Sequence, residues 1–387
     1  MDKLDKQTLM NLGVRCEFID THTHTNTPGS DGKLSPYQQL EHAIKTAYNM
    51  FKEDIYKVEA GISESEVKDL FSQFATINWS ITDHNTAMAY KELRKGKIVL
   101  PKNFLLHPGV ELEVLDDNRN IYDVTIVGIN RKFLKSEIGK HYLTNVVDNK
   151  SRLEDTSAII QYHALSKIGI TIPELMEKDL RYNKTGIRAN DLAHDIMYER
   201  LFVKEPVSES EMNAKAFLLE HGYDPEKGRS TYYRKFVTNP TSMFYVDQTY
   251  GRLKLKEIAL NVLKDQPRAI LLISHPGVYE EKKYGTMEEF VWSKYSILRD
   301  VGKILKACYN MDISSRIGFE CGHRSMSLEQ TQWVKDFCGR HNLLYSSESD
   351  FHDPDIHTPF YINGGKTFIT REYISDKWFE TPTFDEW

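Results

Sequence analysis

The chain has 387 residues, enough for one large domain or two ordinary ones with a substantial hydrophobic core. Its formal net charge of -6 argues against a dedicated duplex-DNA binder, which usually presents a broad basic face. The four cysteines form no CxxC pair, which argues against a thiolate zinc site or a disulfide framework. No apolar run suggests a membrane span, and no amino-terminal h-region suggests a secretory signal. We therefore expect a reduced cytoplasmic protein without a membrane anchor.

Short apolar runs that end in polar clusters recur along the chain, and each predicts a buried strand. In chain order they cover residues 18–20, 77–82, 104–114, 122–129, 269–274, 316–320 and 342–351. Between them lie stretches of helical character, including 36–51, 287–309 and 327–341. Strands that alternate with helices predict an α/β fold with a largely parallel sheet, either open or closed into a barrel.

The middle of the chain differs in character. Residues 132–264 are charged and rich in helix formers, and apolar residues recur there at helical spacing. This pattern predicts a helical insertion between two strands. A shorter insertion at 52–74 is expected to lengthen the first crossover. Within the larger insertion, segment 227–236 interleaves basic and aromatic residues, which fits either a surface for single-stranded nucleic acid or an amphipathic helix with its aromatic side chains turned inward.

Several polar residues at the ends of the predicted strands are of metal-ligand types. His22 and His24 stand two apart on a strand, so their side chains point to the same side and can chelate one ion. Other strand ends and one loop add His, Asp and Glu side chains: Asp31, His84, Glu111, His275, Asp350 and His352. Donors in such numbers suit Zn²⁺, Mn²⁺ or Fe²⁺ and exceed the needs of one ion, so the sequence predicts two or three divalent cations.

Each of these features also has a purely structural explanation. The Ser-His-Pro sequence at 274–276 is a common strand exit, and Asp83 with His84 can cap a helix. Glu113 has the same strand parity as Glu111 and is its rival as a ligand. The joint occurrence of all the features in one chain favours the metal site.

In their order, the motifs DTHTHT, SDGKLSP, ITDHNT, PGVELEV, ISHPG, IGFE and SDFHDP resemble the motif series of the PHP (polymerase and histidinol phosphatase) family. The resemblance extends from about residue 18 to residue 354. It implies an α/β fold of the PHP type, a distorted (β/α)7-like barrel formed by residues 14–131 and 265–387, with 132–264 as a helical insertion subdomain that caps the substrate. Segments of this insertion are similar to the family branch that contains AMP phosphatases and a 5′-to-3′ exoribonuclease.

The resemblance also implies an arrangement of three metal sites. One site is held by His22, His24, Glu111 and Asp350. A second is held by Asp31, His84 and His352. A third is held by Glu111, which bridges, and His275.

The chain departs from the family pattern at two places. Where the family carries a further histidine ligand, this chain has Thr125, so Asp123 on the same strand face is a candidate replacement. The insertion's usual Arg-Pro-His reads Arg188-Ala189-Asn190, which indicates a changed substrate.

The implied activity is hydrolysis of phosphate esters of nucleotides, or of the 5′ ends of short single-stranded oligonucleotides, by a metal-bound hydroxide with no further catalytic side chain. Arg188 is a candidate clamp for a phosphoryl oxygen or a surface ion pair. His323 is a candidate substrate contact or a filler of the site's mouth, and Asp20 is expected to orient a ligand histidine. Two alternatives stay open: a small-metabolite phosphatase, such as one for histidinol phosphate, and a catalytically weakened binding module.

Overall fold

The computed structural model describes residues 5–27, 30–117, 119–141, 145–177, 188–249, 252–279 and 285–387. The chain divides into two compact units. The larger one comprises Met1–Thr144 and Leu253–Trp387, and the smaller one comprises Asn145–Arg252. Segments 132–144 and 253–264 therefore belong to the larger unit, whereas the sequence boundaries placed them in the insertion. Residues 186 and 187, which precede Arg188, lie outside the described residues.

The strands of the described chain all belong to the larger unit. In chain order they are β1 Glu17–Thr23, β2 Thr76–Ile81, β3 Phe104–Leu106, β4 Gly109–Leu115, β5 Ile121–Val127, β6 Leu253–Lys254, β7 Ile270–Ile273, β8 Ile317–Gly322, β9 Leu344–Ser347, β10 Tyr361–Ile362 and β11 Thr367–Phe368.

These strands form three sheets. Strands β1, β2 and β3 make a parallel three-stranded sheet. A six-stranded sheet has the order β6-β4-β5-β7-β8-β9, in which β5 runs antiparallel to both of its neighbours. The third sheet is the β10–β11 hairpin. The predicted α/β class is confirmed, while β5 is the exception to the predicted parallel arrangement.

Two isolated bridges connect the first sheet to the six-stranded sheet or to the segment that follows it. Thr23 at the end of β1 pairs with Phe351 after β9, and His84 after β2 pairs with Glu111 in β4. Both bridges involve residues next to or within the predicted ligand set. The sheets therefore bring the carboxyl ends of β1, β2 and β9 close to the middle of β4.

The helices lie mostly between the strands, as predicted. In chain order they are α1 Lys6–Asn11, α2 Pro36–Val58, α3 Glu64–Phe74, α4 Met88–Lys95, α5 Arg131–Lys135, α6 Glu137–Gly139, α7 Asn145–Lys167, α8 Ala189–Tyr198, α9 Glu209–Glu220, α10 Arg229–Tyr232, α11 Leu255–Asp265, α12 Met287–Tyr309, α13 Leu328–Arg340 and α14 Asp376–Phe379. No helix among the described residues has the length and apolarity needed to cross a membrane.

Local sequence signals explain where the long helices begin. The Ser35 side chain accepts a hydrogen bond from the Gln38 backbone, the Gln38 side chain accepts one from Ser35, and Pro36 takes the first helical position of α2. The same reciprocal cap starts α3, α12 and α13. Such caps satisfy backbone N–H groups that have no partner within the helix. The first crossover, from β1 to β2, therefore consists of two capped helices, α2 and α3.

Two predicted strands end differently in the structure. The segment predicted as one strand at 104–114 is split into β3 and β4, because Pro108 has no N–H to donate to a sheet ladder. The segment predicted at 342–351 leaves the sheet after Ser347. Asp350 there has a φ of 51°, a left-handed conformation that a strand cannot contain.

The smaller unit has a hydrophobic core of its own. Segment 227–236 contributes Tyr232 and Phe236 to it, and both side chains are buried. Arg229 of the same segment is paired with Asp195. The inward-facing prediction for the aromatic residues of this segment is therefore confirmed for Tyr232 and Phe236.

Candidate metal centre

All eight predicted ligand residues lie in the larger unit, and their polar side-chain atoms converge. We call them the ligand cluster: His22, His24, Asp31, His84, Glu111, His275, Asp350 and His352. Their ligand atoms belong to groups in which every atom lies within 4.8 Å of the others, and His24 is common to two of these groups. The strands deliver these residues mainly at their carboxyl ends, which is where α/β folds gather their functional side chains.

The two histidines of β1 form the buried centre of the cluster. His22 and His24 are fully buried, and their Nε2 atoms lie 2.9 Å apart. Asp350 Oδ1 lies 3.3 Å from His24 Nε2 and 4.0 Å from His22 Nε2. Strand alternation predicted that the two rings would share one side, and the structure confirms that geometry.

Glu111 is the carboxylate that connects the histidines. Its Oε2 atom lies 2.9 Å from His84 Nδ1, 3.4 Å from His22 Nε2 and 3.5 Å from His24 Nε2. Its Oε1 atom lies 3.1 Å from His275 Nε2. Glu113, its rival in the sequence, instead accepts a hydrogen bond from the Asn85 side chain at 3.1 Å. The structure therefore places Glu111, and not Glu113, at the convergence of the histidine nitrogens.

The outer part of the cluster is formed by Asp31, His84 and His352. Asp31 Oδ1 lies 3.0 Å from His352 Nε2 and 3.5 Å from His84 Nε2. The Asp31 side chain is 49% exposed, so this side of the cluster is open to solvent. These three residues and His24 form one of the groups of converging ligand atoms.

At Thr125, where the resemblance implies a histidine, the side chain offers a hydroxyl. Thr125 Oγ1 lies 2.8 Å from Ser274 Oγ and 3.2 Å from His22 Nδ1. Two residues earlier on β5, the carboxylate of Asp123 joins Glu111 and His275 in a group of converging ligand atoms. The Tyr279 hydroxyl donates a hydrogen bond to Asp123 Oδ2 at 2.7 Å. The second carboxylate oxygen, Oδ1, receives no hydrogen bond from the described residues.

Glu320, on β8, contacts two residues of the ligand cluster and was not singled out from the sequence. Its Oε1 atom accepts a hydrogen bond from His22 Nδ1 at 2.9 Å, and its Oε2 atom accepts one from the His275 backbone N–H at 3.0 Å. A carboxylate on Nδ1 fixes the ring tautomer and leaves the Nε2 lone pair free to bind a cation. The IGFE motif contained this residue, but a strand position alone does not reveal which ring it contacts.

Backbone strain also marks this part of the cluster. His275 has a φ of 29° and Asp350 a φ of 51°, both in the region that side chains other than glycine rarely adopt. Such conformations cost on the order of 1–3 kcal/mol each and persist at functional sites when the surroundings hold them. At His275 the holding contact is the hydrogen bond from its N–H to Glu320.

Asp20 does not contact a ligand histidine through a hydrogen bond, contrary to the prediction. Its carboxylate accepts hydrogen bonds from the Ser349 backbone at 3.0 Å, the Ser349 hydroxyl at 2.6 Å and the Phe360 backbone at 2.9 Å. Burial raises the pKa of Asp20 to about 6, although these hydrogen bonds act to lower it. Its role is to fix the loop that carries Asp350.

The charges within the cluster shift the pKa values in opposite directions. Burial alone would lower the pKa of His22, but the carboxylates of Glu111 and Glu320 hold it well above its usual value. Burial, together with the charges of His352 and His84, lowers the pKa of His24 to about 3. Burial acts to raise the pKa of Glu111, yet His22 and His84 keep it well below its usual range. The centre thus holds ionised carboxylates beside imidazole rings.

The donor set fits divalent cations. Imidazole nitrogens and carboxylate oxygens converge, which is the ligand chemistry of Zn²⁺, Mn²⁺ and iron. Without a cation, the facing Nε2 atoms of His22 and His24 can form a hydrogen bond with each other only if one of them carries a proton. Two unprotonated nitrogens would bring their lone pairs together. A cation between them and the Glu111 carboxylate would satisfy all three groups.

The two predicted substrate contacts lie in different places. The ring nitrogens of His323 are engaged by the protein: Nδ1 lies 2.6 Å from Ser325 Oγ, and Nε2 lies 3.2 Å from Asp350 Oδ2. Arg188 belongs to the smaller unit, where it precedes α8. Arg324, the residue after His323, was not singled out from the sequence. Its Nη2 atom lies 3.4 Å from Asp350 Oδ2, and its side chain is 35% exposed.

No family model and no curated protein matches the sequence. Among solved structures, an amidohydrolase from Chromobacterium violaceum with bound sulfate and no metal has 19% sequence identity and a TM-score of 0.47, over 87% of this chain and 88% of that one. A protein from Bifidobacterium adolescentis, provisionally named a metal-dependent phosphoesterase, has 17% identity and a TM-score of 0.47, over 94% of both chains. Because both TM-scores are below 0.5, neither similarity bears on the function of this chain.

Proposed function

We propose that the protein is a metal-dependent phosphoesterase that hydrolyses phosphate esters of nucleotides or of the 5′ ends of short oligonucleotides. The observation that carries this proposal is the convergence of imidazole and carboxylate atoms in three groups, two of which share His24. These groups are His22–His24–Asp350, His24–Asp31–His84–His352 and Glu111–Asp123–His275. The third group adjoins the other two through the contacts of Glu111 with His22, His24 and His84. Three adjoining groups suit a cluster of two or three cations better than a single structural ion.

Bound there, divalent cations such as Mn²⁺, Zn²⁺ or Fe²⁺ would acidify water and offset the negative charge of a phosphoryl group. The protein's own contribution is positioning. Glu320 holds the His22 ring and the His275 backbone, and Asp20 holds the loop of Asp350. Rigid support of this kind keeps a reactive geometry within the narrow tolerance that catalysis requires.

The distorted barrel belongs to the same proposal. The isolated bridges Thr23–Phe351 and His84–Glu111 support closure of the sheets around the cluster. In that arrangement the cluster lies at the mouth formed by the carboxyl ends of the strands. The substrate-capping role expected of residues 132–264 and the phosphate contact expected of Arg188 stay predictions.

On the larger unit, Arg324 is the side chain best placed to bind a substrate phosphoryl oxygen. It touches Asp350 of the cluster and is partly exposed, and a guanidinium can bind such oxygens bidentately. A cavity of about 620 Å³ lies beside it, lined also by Asn363 and Lys366. This volume falls within the roughly 300–1,000 Å³ typical of small-molecule sites, so it can hold the leaving group of a nucleotide. His323 supports Asp350 in the structure, and its contact with substrate stays a prediction.

The test is a metal-supplemented activity screen with nucleoside monophosphates, 5′-phosphorylated oligonucleotides and histidinol phosphate. We expect turnover on the first two classes. His22→Ala and Asp350→Ala should abolish it, whereas His221→Ala, at an exposed histidine of the smaller unit, should not. Elemental analysis should find at least two cations per chain in the native protein and fewer in the two cluster variants.

Arg324 has a test of its own. Arg324→Ala should raise KM for the phosphate ester, and Arg324→Lys should restore part of the loss, because lysine keeps the charge without the bidentate geometry. Turnover of histidinol phosphate and of neither nucleotide class would show that the substrate is a small metabolite. A protein that binds no Mn²⁺ or Zn²⁺ in equilibrium dialysis would overturn the proposal as a whole.

A further inference from the structure

A second cavity of the larger unit is lined almost entirely by cationic side chains. Its volume is about 460 Å³, and none of its lining residues belongs to the ligand cluster. We call it the basic cavity. Its lining consists of Lys91, Arg94, Lys95, Arg131, Leu134, Lys135, Lys140 and Trp387.

The six cations come from two separate parts of the chain and are aligned by helix geometry. Lys91, Arg94 and Lys95 are three and four residues apart on α4, so they share one face of the helix. Arg131 and Lys135 are four residues apart on α5 and share a face in the same way. Like charges at these spacings destabilise a helix, so folding alone gives no reason for the arrangement.

These cations are not neutralised by the protein. Within the part of the chain that the structure describes, none of the six forms an ion pair or a side-chain hydrogen bond. The nearby acidic side chains do not pair with these cations. Glu92, whose carboxylate the charge of Lys95 acts on, does not line the cavity, and Glu386 is paired with Arg268. A chain with a net charge of -6 thus concentrates six unpaired positive charges around one cavity.

The cavity also has an apolar part. Trp387 is 6% exposed and Leu134 is 7% exposed, so each presents a small apolar surface to the interior of the cavity. The volume falls within the roughly 300–1,000 Å³ of small-molecule sites and suits a compact ligand better than a polymer. A ligand that satisfies both features has several phosphate groups attached to a carbon framework.

The cavity is separate from the metal centre along the sheet. Gly128 and Ile129, just before α5, donate hydrogen bonds to the Pro108 carbonyl. Glu111 of the cluster lies three residues beyond Pro108, or about 10 Å at roughly 3.3 Å per strand residue. The part of the cavity that α5 lines therefore lies near the amino-terminal end of β4, away from the ligand cluster.

We propose that the basic cavity binds an organic polyphosphate, a small molecule that carries two or more phosphate groups. Charge-assisted hydrogen bonds from lysine and arginine to phosphate oxygens supply the affinity. The chemistry is shared by nucleoside triphosphates and by cyclitol polyphosphates. The site is independent of the phosphoesterase proposal, because it uses no residue of the ligand cluster.

The test is calorimetric titration of the full chain after removal of metal by a chelator, so that phosphate cannot bind through cations. The probes are the β,γ-imido analogue of ATP, inositol hexakisphosphate, inorganic tripolyphosphate and AMP. We expect saturable binding of the first two at one molecule per chain, and much weaker binding of AMP. The relative affinities of the ATP analogue and the inositol phosphate identify which framework the apolar part accepts.

Charge-reversal variants locate the site. Arg94→Glu with Lys135→Glu should weaken binding about tenfold or more, because two charged contacts are lost and repulsion is added. The matched control is Lys97→Glu with Lys132→Glu. These two exposed lysines are close in sequence to the cavity residues but do not line the cavity, and the change in net charge is the same. The control should keep the native affinity.

Three results would overturn the proposal. Equal weakening in both double variants would show diffuse electrostatic attraction. Loss of binding in His22→Ala would place the ligand at the metal centre. Affinity for single-stranded oligonucleotides that rises with length and exceeds that for the small polyphosphates would show a polymer surface. Far-ultraviolet circular dichroism and melting curves of the variants confirm that each compared protein is folded.

Discussion

Replacing Glu320 with glutamine separates a carboxylate that positions metal ligands from one that merely fills the core. Glu320 is fully buried, and its hydrogen bonds within the described part of the chain go to the His22 ring and to the His275 backbone. Glutamine has nearly the same shape, so packing is preserved. The charge and one acceptor oxygen are removed.

The consequence follows from the two contacts. If the new amide nitrogen faces His22 Nδ1, the ring must carry its proton on Nε2, the atom that faces the cluster. If the amide nitrogen faces the His275 N–H instead, two donors meet and the strained φ of 29° at His275 loses its support. Either orientation harms the site. Outer carboxylates of this kind are worth about 10- to 100-fold in metal affinity, or about 1.4–2.7 kcal/mol.

The assay is competition for Zn²⁺ or Mn²⁺ between the protein and a fluorescent chelator, which reports affinity without any reference to turnover. Glu348→Gln is the matched control. Burial and the charges of Glu320 and Asp350 raise the pKa of Glu348 well above its usual value, so a neutral amide resembles its native state. We expect a large loss for Glu320→Gln and a loss of less than about threefold for Glu348→Gln. Equal effects would refute the reasoning, since His22, Glu320 and Glu348 would then act as one ligand group.

Three further predictions address other parts of the molecule. Glu111→Gln should reduce the number of bound cations measured by elemental analysis, whereas Glu113→Gln should not; the reverse result would exchange their roles. In a chelator titration, Asp123→Ala should lose its most weakly held cation at a lower chelator concentration than the native protein does. An unchanged titration would exclude Asp123 as a ligand. Burial lowers the pKa of His107 to about 4 in the folded protein. In the unfolded chain the imidazole binds its proton at about pH 6.5, so the unfolded state gains protons first as the pH falls. The free energy of unfolding should therefore decrease by roughly 3 kcal/mol between about pH 6.5 and pH 4. His107→Gln should make Tm less sensitive to pH over that window, and an unaltered pH profile of Tm would contradict the assignment.

The sequence predicted the parts of the site that depend on short-range geometry. The HxH spacing placed the rings of His22 and His24 on one side of β1, because alternation is a property of any strand. Polar residues at strand ends indicated that the remaining ligands would meet, because neighbouring strands end at a common edge. Most of the strands and helices were predictable for the same reason, since buried apolar runs and helix caps are local signals.

Contacts between distant segments were not predictable in this way. Glu320 meets His22 across 298 positions of sequence, and no local pattern states that distance. Asp20 was expected to hold a histidine and instead holds Ser349 and Phe360, because the loop after β9 folds back onto β1. The antiparallel direction of β5 was missed since an apolar run carries no sign of strand direction.

Thr125, where the resemblance implies a histidine, bears on the third of the proposed metal sites. In β5, Thr125 is the register partner of Glu111, so a histidine there would point toward the same cluster. The threonine hydroxyl instead contacts Ser274 and His22 and so belongs to the support of the first site. Asp123 completes the group with Glu111 and His275, so the proposed site has a carboxylate where the resemblance implies an imidazole. Carboxylate oxygen favours harder ions such as Mn²⁺ or Mg²⁺ over Zn²⁺. Burial and the charge of Glu111 raise the pKa of Asp123, so the carboxylate binds a proton more readily when no cation is bound. Protons therefore compete with the cation at Asp123 more strongly as the pH falls, and we expect this group to be occupied last and lost first when cations are scarce.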